Sequence, residues 1–86
     1  MHQQAKNRCN EIASDEPIVF ADGYDKAIIG ICWREGYPCV AYDIDRVIAI
    51  LKKRDGMTRD EAEEFFEFNI SGAWIGEGTP IFIKRI

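Results

Sequence analysis

The sequence predicts an α+β domain: a small antiparallel sheet of about four strands, in the order β-β-β-α-α-β, with two helices packed on one face. Three observations predict it. An apolar, β-branched run from Lys26 to Trp33 and a second apolar run from Cys39 to Asp43 flank the turn string "REGYP". The apolar period then changes, with Ile44, Val47, Ile48 and Leu51 spaced as one face of a helix. Finally, "TRDE" at Thr58 to Glu61 has the form of a capping box, the signature of a helix start.

Residues Met1 to Glu16 are polar and weakly patterned, and read as a mobile arm with a short helix around Ala5 to Ile12. The ordered domain is expected to begin at Pro17. "PIVFADG" is a short apolar run closed by a turn signal at Asp22-Gly23, and reads as the first strand. The two runs around Gly36 and Pro38 read as an antiparallel hairpin. Asp43 can cap the next helix, and Asp45 adds negative charge to its first turn. Lys52, Lys53 and Arg54 suit the negative end of its dipole, and Asp55-Gly56 stops it.

A second helix starts at the Thr58 cap, with Met57 just ahead of it and Ala62 placed as a weak staple partner. Phe65, Phe66 and Asn69 or Ile70 are expected on its buried side, and Glu63, Glu64 and Glu67 on its solvated side. Gly72 is the expected stop, and "PIFIKRI" the last strand, paired with an earlier one such as the first.

Composition bounds the function. Eighty-six residues make one small domain, of a size that buries about 60–65% of its unfolded surface. The net charge is -4 and the basic residues are scattered, apart from Lys52 to Arg54. That balance argues against a nucleic-acid backbone as main partner. The three cysteines, Cys9, Cys32 and Cys39, contain no CxxC, which favours reduced thiols and a cytoplasmic setting. No apolar run approaches a membrane span or a signal peptide.

The strings "YDIDRVIAIL" and "RDGMTRDEAEEFFEFNISGAWIGEGTPIF" resemble a group of small uncharacterised proteins from phages and prokaryotic genomes. The similarity runs from about Asp22 to Phe82. It implies a phage or mobile-element setting, and the host cytosol as location. It implies no site residues.

The chemistry-bearing residues are few. Gly72, Gly76 and Gly78 come after a helix and before a strand, the reverse of the order that aims a helix N-terminus at a phosphate, so they read as turn residues. Asn69 is expected to be buried and to clip the segment from Ser71 to Thr79, with ligand contact as its functional alternative. Asp43 and Asp45 supply too few oxygens for a hard cation, and no metal or cofactor is expected. The one histidine, His2, lies in the arm, so no nucleophile has an ordered base and no catalytic set is visible. Cys32 and Cys39 read as small buried hydrophobes, or as a redox pair if the hairpin register sets them opposite each other.

What remains is surface. Phe68 and Trp74, with Glu63, Glu64 and Glu67, are the candidate interface. The expected function is a non-enzymatic protein-interaction module that binds or inhibits a host protein, as a homodimer. The alternative is a small-ligand or nucleotide binder, or minor enzyme, with a pocket between Asp22 and Asp25 and the segment Gly72 to Thr79, using Asn69, Gly76 and Gly78. A structural subunit of a larger assembly is the third reading.

Overall fold

A computed structural model describes residues 2–14, 16–71 and 78–86 of the chain. Its elements are α1 (His2–Ala13), β1 (Ile28–Arg34), β2 (Tyr37–Asp43), α2 (Ile44–Asp55), α3 (Arg59–Phe66) and β3 (Ile81–Ile83). A 3-10 turn at Asp25–Ala27 precedes β1, and a π turn at Glu67–Ser71 continues α3. The fold is α+β, with three helices and a three-stranded mixed sheet in the order β1-β2-β3 among the described residues.

The hairpin is shaped by its turn. Glu35 and Gly36 both take positive φ, 51° and 87°, the pattern of a two-residue turn whose twist matches the strands it joins. Arg34 then opposes Tyr37, Trp33 opposes Pro38 and Cys32 opposes Cys39. Such a turn is closed by a hydrogen-bonded pair, so the next pair, Trp33 with Pro38, is a non-hydrogen-bonded one. Pro38, which has no N–H, therefore costs the β1–β2 ladder nothing. The pairing of β2 with β3 starts only at Ala41, beyond the proline.

Two expectations about the sheet are corrected. The run from Pro17 to Ala21 is not a strand. Its Ala21 N–H donates to the Tyr42 hydroxyl at 2.7 Å, so a side chain takes the place of a ladder partner. Ile18, Phe20 and Ala21 pack on the core as an irregular segment. The sheet is also not all antiparallel, because β3 runs parallel to β2, with Ala41, Tyr42 and Asp43 opposite Ile81, Phe82 and Ile83. A parallel neighbour needs a long crossover, and α2 with α3 supply it. The N-terminal segment read as an arm is helical over His2–Ala13 and buries Cys9 and Ala13.

The helices start and stop where local chemistry dictates. The Asp43 carboxylate accepts the Asp45 N–H at 3.0 Å and caps α2. Gly56, at φ 67°, ends it in the left-handed conformation. Thr58 and Glu61 form both halves of the capping box on α3, at 3.2 and 2.8 Å.

One face of the sheet and the helices share the core: Val40 and Tyr42 from β2, Val47, Ile48 and Leu51 from α2, Ala62 and Phe66 from α3. Phe82 of β3 joins two of these. Its ring centroid lies 5.5 Å from that of Tyr42 and 5.2 Å from that of Phe66, the latter edge-on at 84°.

Tyr42 has 0% of its surface exposed. Burial, opposed in part by the Ala21 hydrogen bond, pushes its phenol up from the ordinary 10.0 to about 12. The folded protein thus holds this proton more tightly than the unfolded chain. The associated stability is complete below about pH 10 and is lost as pH rises toward about 12. Tyr42→Phe should cost about 1–3 kcal/mol at neutral pH, by stranding the Ala21 N–H. The variant should also lack the alkaline loss of stability that Tyr42 is expected to give the parent. Denaturant unfolding of both proteins across the alkaline range checks both outcomes.

Candidate functional site

The described residues of the candidate interface lie on α3 and the π turn behind it. A helix that starts at Thr58 places Ala62 and Phe66 on the core side, and both are buried. Glu61, Glu64, Phe65 and Phe68 recur at i, i+3, i+4 and i+7 and form a second stripe, turned to solvent. Phe68 is 78% exposed and Phe65 36%. With Met57 and Asn69, this stripe lines an open groove of about 500 Å³.

This arrangement differs from the expected one at two residues. Phe65 does not share the burial of Phe66. Asn69 is exposed, and its amide donates to the Phe65 carbonyl at 3.2 Å instead of clipping the segment beyond it. The cause is the widened turn at Glu67–Ser71. A π turn adds a residue to the helical repeat and rotates the side chains after it, so an α-helical wheel misplaces Asn69. Ser71 repeats the pattern, donating to the Glu67 carbonyl at 3.3 Å. The two side chains serve carbonyls four residues back.

The charge on this face is lopsided. Asp60, Glu61, Glu63, Glu64 and Glu67 are all exposed, with Arg59 the one basic residue between Thr58 and Ser71. Arg59 is held by Glu63 at 2.8 Å, and Glu61 by the capping box. Glu64 and Glu67 make no ion pair among the described residues. Two exposed phenylalanines therefore stand beside uncompensated carboxylates.

The residues of the expected ligand pocket are dispersed. Asp22 is exposed in its turn. Asp25 opens the 3-10 turn, with one carboxylate oxygen 3.8 Å from the Lys6 ammonium and the other buried with no hydrogen-bond partner among the described residues. It lines a cavity of about 780 Å³ whose opposite wall is α2, through Arg46, Ala49, Ile50, Lys53 and Arg54. Asn69 belongs to the other groove. Gly78 is buried, and a Cβ there would come within 3.1 Å of the Pro17 carbonyl oxygen, so it serves a close backbone approach. Trp74 and Gly76 lie outside the described residues.

Sequence reasoning misses the clamp that shapes the 780 Å³ cavity. Arg54 donates to the Gly23 carbonyl at 3.3 Å and to the Tyr24 hydroxyl at 3.2 Å, and lies 5.0 Å from the Tyr24 ring centroid. Its hydrogen bonds to Asp55, then to Tyr24, raise its pKa further above the usual arginine value. Gly23, at φ 91°, takes a backbone conformation that L side chains rarely adopt, and a Cβ there would also displace the Arg54 guanidinium, 2.8 Å away at Nη1. A basic residue in a last helical turn reads as a dipole partner, which conceals this second role.

Asp43 and Asp45 bind the chain's own cations. Asp43 lies 3.1 Å from Arg85 and 3.6 Å from Arg46, and Asp45 lies 2.7 Å from Lys84. The Lys84 hydrogen bond holds the Asp45 carboxyl below its usual range. Among the described residues no helix is long and apolar enough to cross a membrane. No family model, curated protein or solved structure matches the chain.

Stability should separate the two sides of α3. Asn69→Ala should change unfolding free energy by less than about 0.5 kcal/mol, as an exposed substitution does. Phe66→Ala should cost about 3–5 kcal/mol through the cavity it leaves. Urea unfolding of the two variants checks the contrast.

Proposed function

We propose that the protein is a small non-enzymatic interaction module that binds a basic, apolar-anchored segment of another protein through the Phe65–Phe68 face. The observation that carries this reading is Phe68, 78% exposed on a helix whose neighbouring carboxylates lack partners. An aromatic side chain of that exposure stabilises nothing in the free protein. Buried against a partner, it becomes an anchor of the kind that dominates interface energetics. Glu64 and Glu67 beside it steer basic segments inward and oppose acidic ones.

A second copy of the chain is the poorer occupant of this face. A two-fold contact sets a patch against itself, and here that would bring acidic residues against acidic residues. A homodimer would use another surface. The host-protein setting, for a phage- or mobile-element-encoded chain, is supported by the sequence resemblance.

A second reading, binding of a small anionic ligand, has its own observation. Lys26 and Lys53 line the 780 Å³ cavity and make no ion pair among the described residues. A thermal-shift series with inorganic phosphate and nucleotides tests it, and a flat series removes it.

The interaction reading is tested by comparing three baits in lysate of the source cells: the parent chain, Phe68→Ser, and Glu64→Lys combined with Glu67→Lys. One partner should be captured by the parent and lost from both variants, and its retention should weaken as salt rises. With that partner purified, Phe68→Ser should weaken binding by on the order of tenfold or more. The stability of the variant should stay within about 0.5 kcal/mol of the parent. Capture indifferent to both variants would remove this face from the function.

A further inference from the structure

The β1–β2 register sets Cys32 directly opposite Cys39. Directly opposed residues of an antiparallel pair project from the same face, so the two thiols are neighbours across the ladder. The turn fixes the kind of pair. Counting from the hydrogen-bonded Arg34–Tyr37 pair beside the Glu35–Gly36 turn, Trp33–Pro38 is non-hydrogen-bonded and Cys32–Cys39 is hydrogen-bonded again. The Cα separation of such a pair, about 5.5 Å, lies inside the range that a disulfide spans, about 4.4–6.8 Å. Side chains of hydrogen-bonded pairs are held farther apart than those of the alternate pairs, so a bond between them is strained and easily reduced.

The two thiols differ in access. Cys39 is fully buried, and its Sγ donates a weak bond to the Tyr37 carbonyl at 3.6 Å. Cys32 is half-buried and open to a small reagent. Burial and then the neighbouring Cys39 push the Cys32 thiol up, while Arg34 opposes them. The third cysteine, Cys9 of α1, is buried in the core cluster, to which neither Cys32 nor Cys39 belongs.

We propose that Cys32 and Cys39 form a redox site that exchanges with small disulfides, cycling between a dithiol and a strained cross-strand disulfide. The Cys32 thiolate attacks one sulfur of the small disulfide. The S–S bond of the reagent breaks, and its second half leaves as a thiolate that takes a proton from water. Cys32 then carries a mixed disulfide. Cys39, its proton passing to the departing small thiol, attacks the Cys32 sulfur and expels the other half of the reagent. Two protein thiols have lost two electrons and two protons, and one small disulfide has become two small thiols. Eight residues make up the closed loop, counted from Cys32 to Cys39, so the bond constrains the unfolded chain somewhat less than one closing a longer loop would.

The test uses the whole folded chain and oxidised glutathione. Trypsin cleavage after Lys26, Arg34 and Arg46 places the two cysteines in separate peptides, 27–34 and 35–46. After reaction under native conditions, quenched by acid and alkylation, these peptides should be joined by a bond that modest reduced glutathione reverses. Cys9 should be recovered alkylated. The rate should rise with pH as the raised Cys32 thiol ionises. Cys39→Ser should accumulate the glutathione adduct on Cys32 and stop there. Cys32→Ser should give neither adduct nor bond. The proposal is overturned if the parent chain stays unreacted, if it stops at a Cys32 adduct, or if Cys9 supplies the linked peptide. Because the joined peptides are read from the parent chain, the result does not depend on whether either variant folds.

Discussion

The fold depends on one side chain in the middle of its sheet. Tyr42 sits on the central strand, with Ile28 of β1 on one side and Phe82 of β3 on the other. Its ring fills the core and its hydroxyl reaches past the sheet to the Ala21 N–H. That single bond decides the structure of the segment before β1. A backbone donor taken up by a buried hydroxyl no longer needs a ladder, so Pro17 to Ala21 can pack as an irregular strap. The ring decides the other side as well. Phe82 stacks on Tyr42 and meets Phe66 edge-on, which draws α3 against the sheet.

How far the sequence exposes this depends on the range of each interaction. The hairpin, the cap at Asp43 and the capping box at Thr58 are local. Each is set by residues within four positions of one another, so turn and cap chemistry read them directly. The strap before β1 reads wrongly as a strand because its apolar run has the composition of one, while its hydrogen-bond partner lies 21 residues away. The direction of β3 is hidden for a similar reason. Nothing in "PIFIKRI" distinguishes a parallel from an antiparallel neighbour, and the length of the crossover decides it. The side-chain directions around Asn69 fall between these cases. The cause is local, but a π turn has no sequence signature comparable to a capping box, and a helical wheel carried past Phe66 turns Asn69 inward.

Charge is distributed unevenly over the surface. α3 and its extension gather carboxylates around Phe65 and Phe68, while Lys26, Arg46, Lys53 and Arg54 line the cavity beside α2. A net charge of -4 averages over this division and describes neither face. The acids at the start of α2 face the sheet end instead, where Lys84, Arg85 and Arg46 meet them. A carboxylate with a cation within the chain does little to recruit a partner. Glu64 and Glu67 differ in this respect, and their position beside the exposed aromatics, more than the number of acids, distinguishes the α3 face.

The same alternation that buries Tyr42 separates the two sites. Val40 and Tyr42 project to the helices, so Cys39, one residue before Val40, projects to the opposite side of β2. Cys32 opposes it there, and neither thiol belongs to the core stack of Tyr42, Phe82 and Phe66. A bond between the cysteines would act on the turn end of the hairpin, where Trp33 and Tyr37 are exposed, while α3 is held from the other side of the sheet through Phe66. Strain at Cys32–Cys39 thus falls on the part of β2 that, among the described residues, pairs with β1 alone, since β3 joins only from Ala41 onward. A strained crosslink can form there with least disturbance to the packing that presents Phe68.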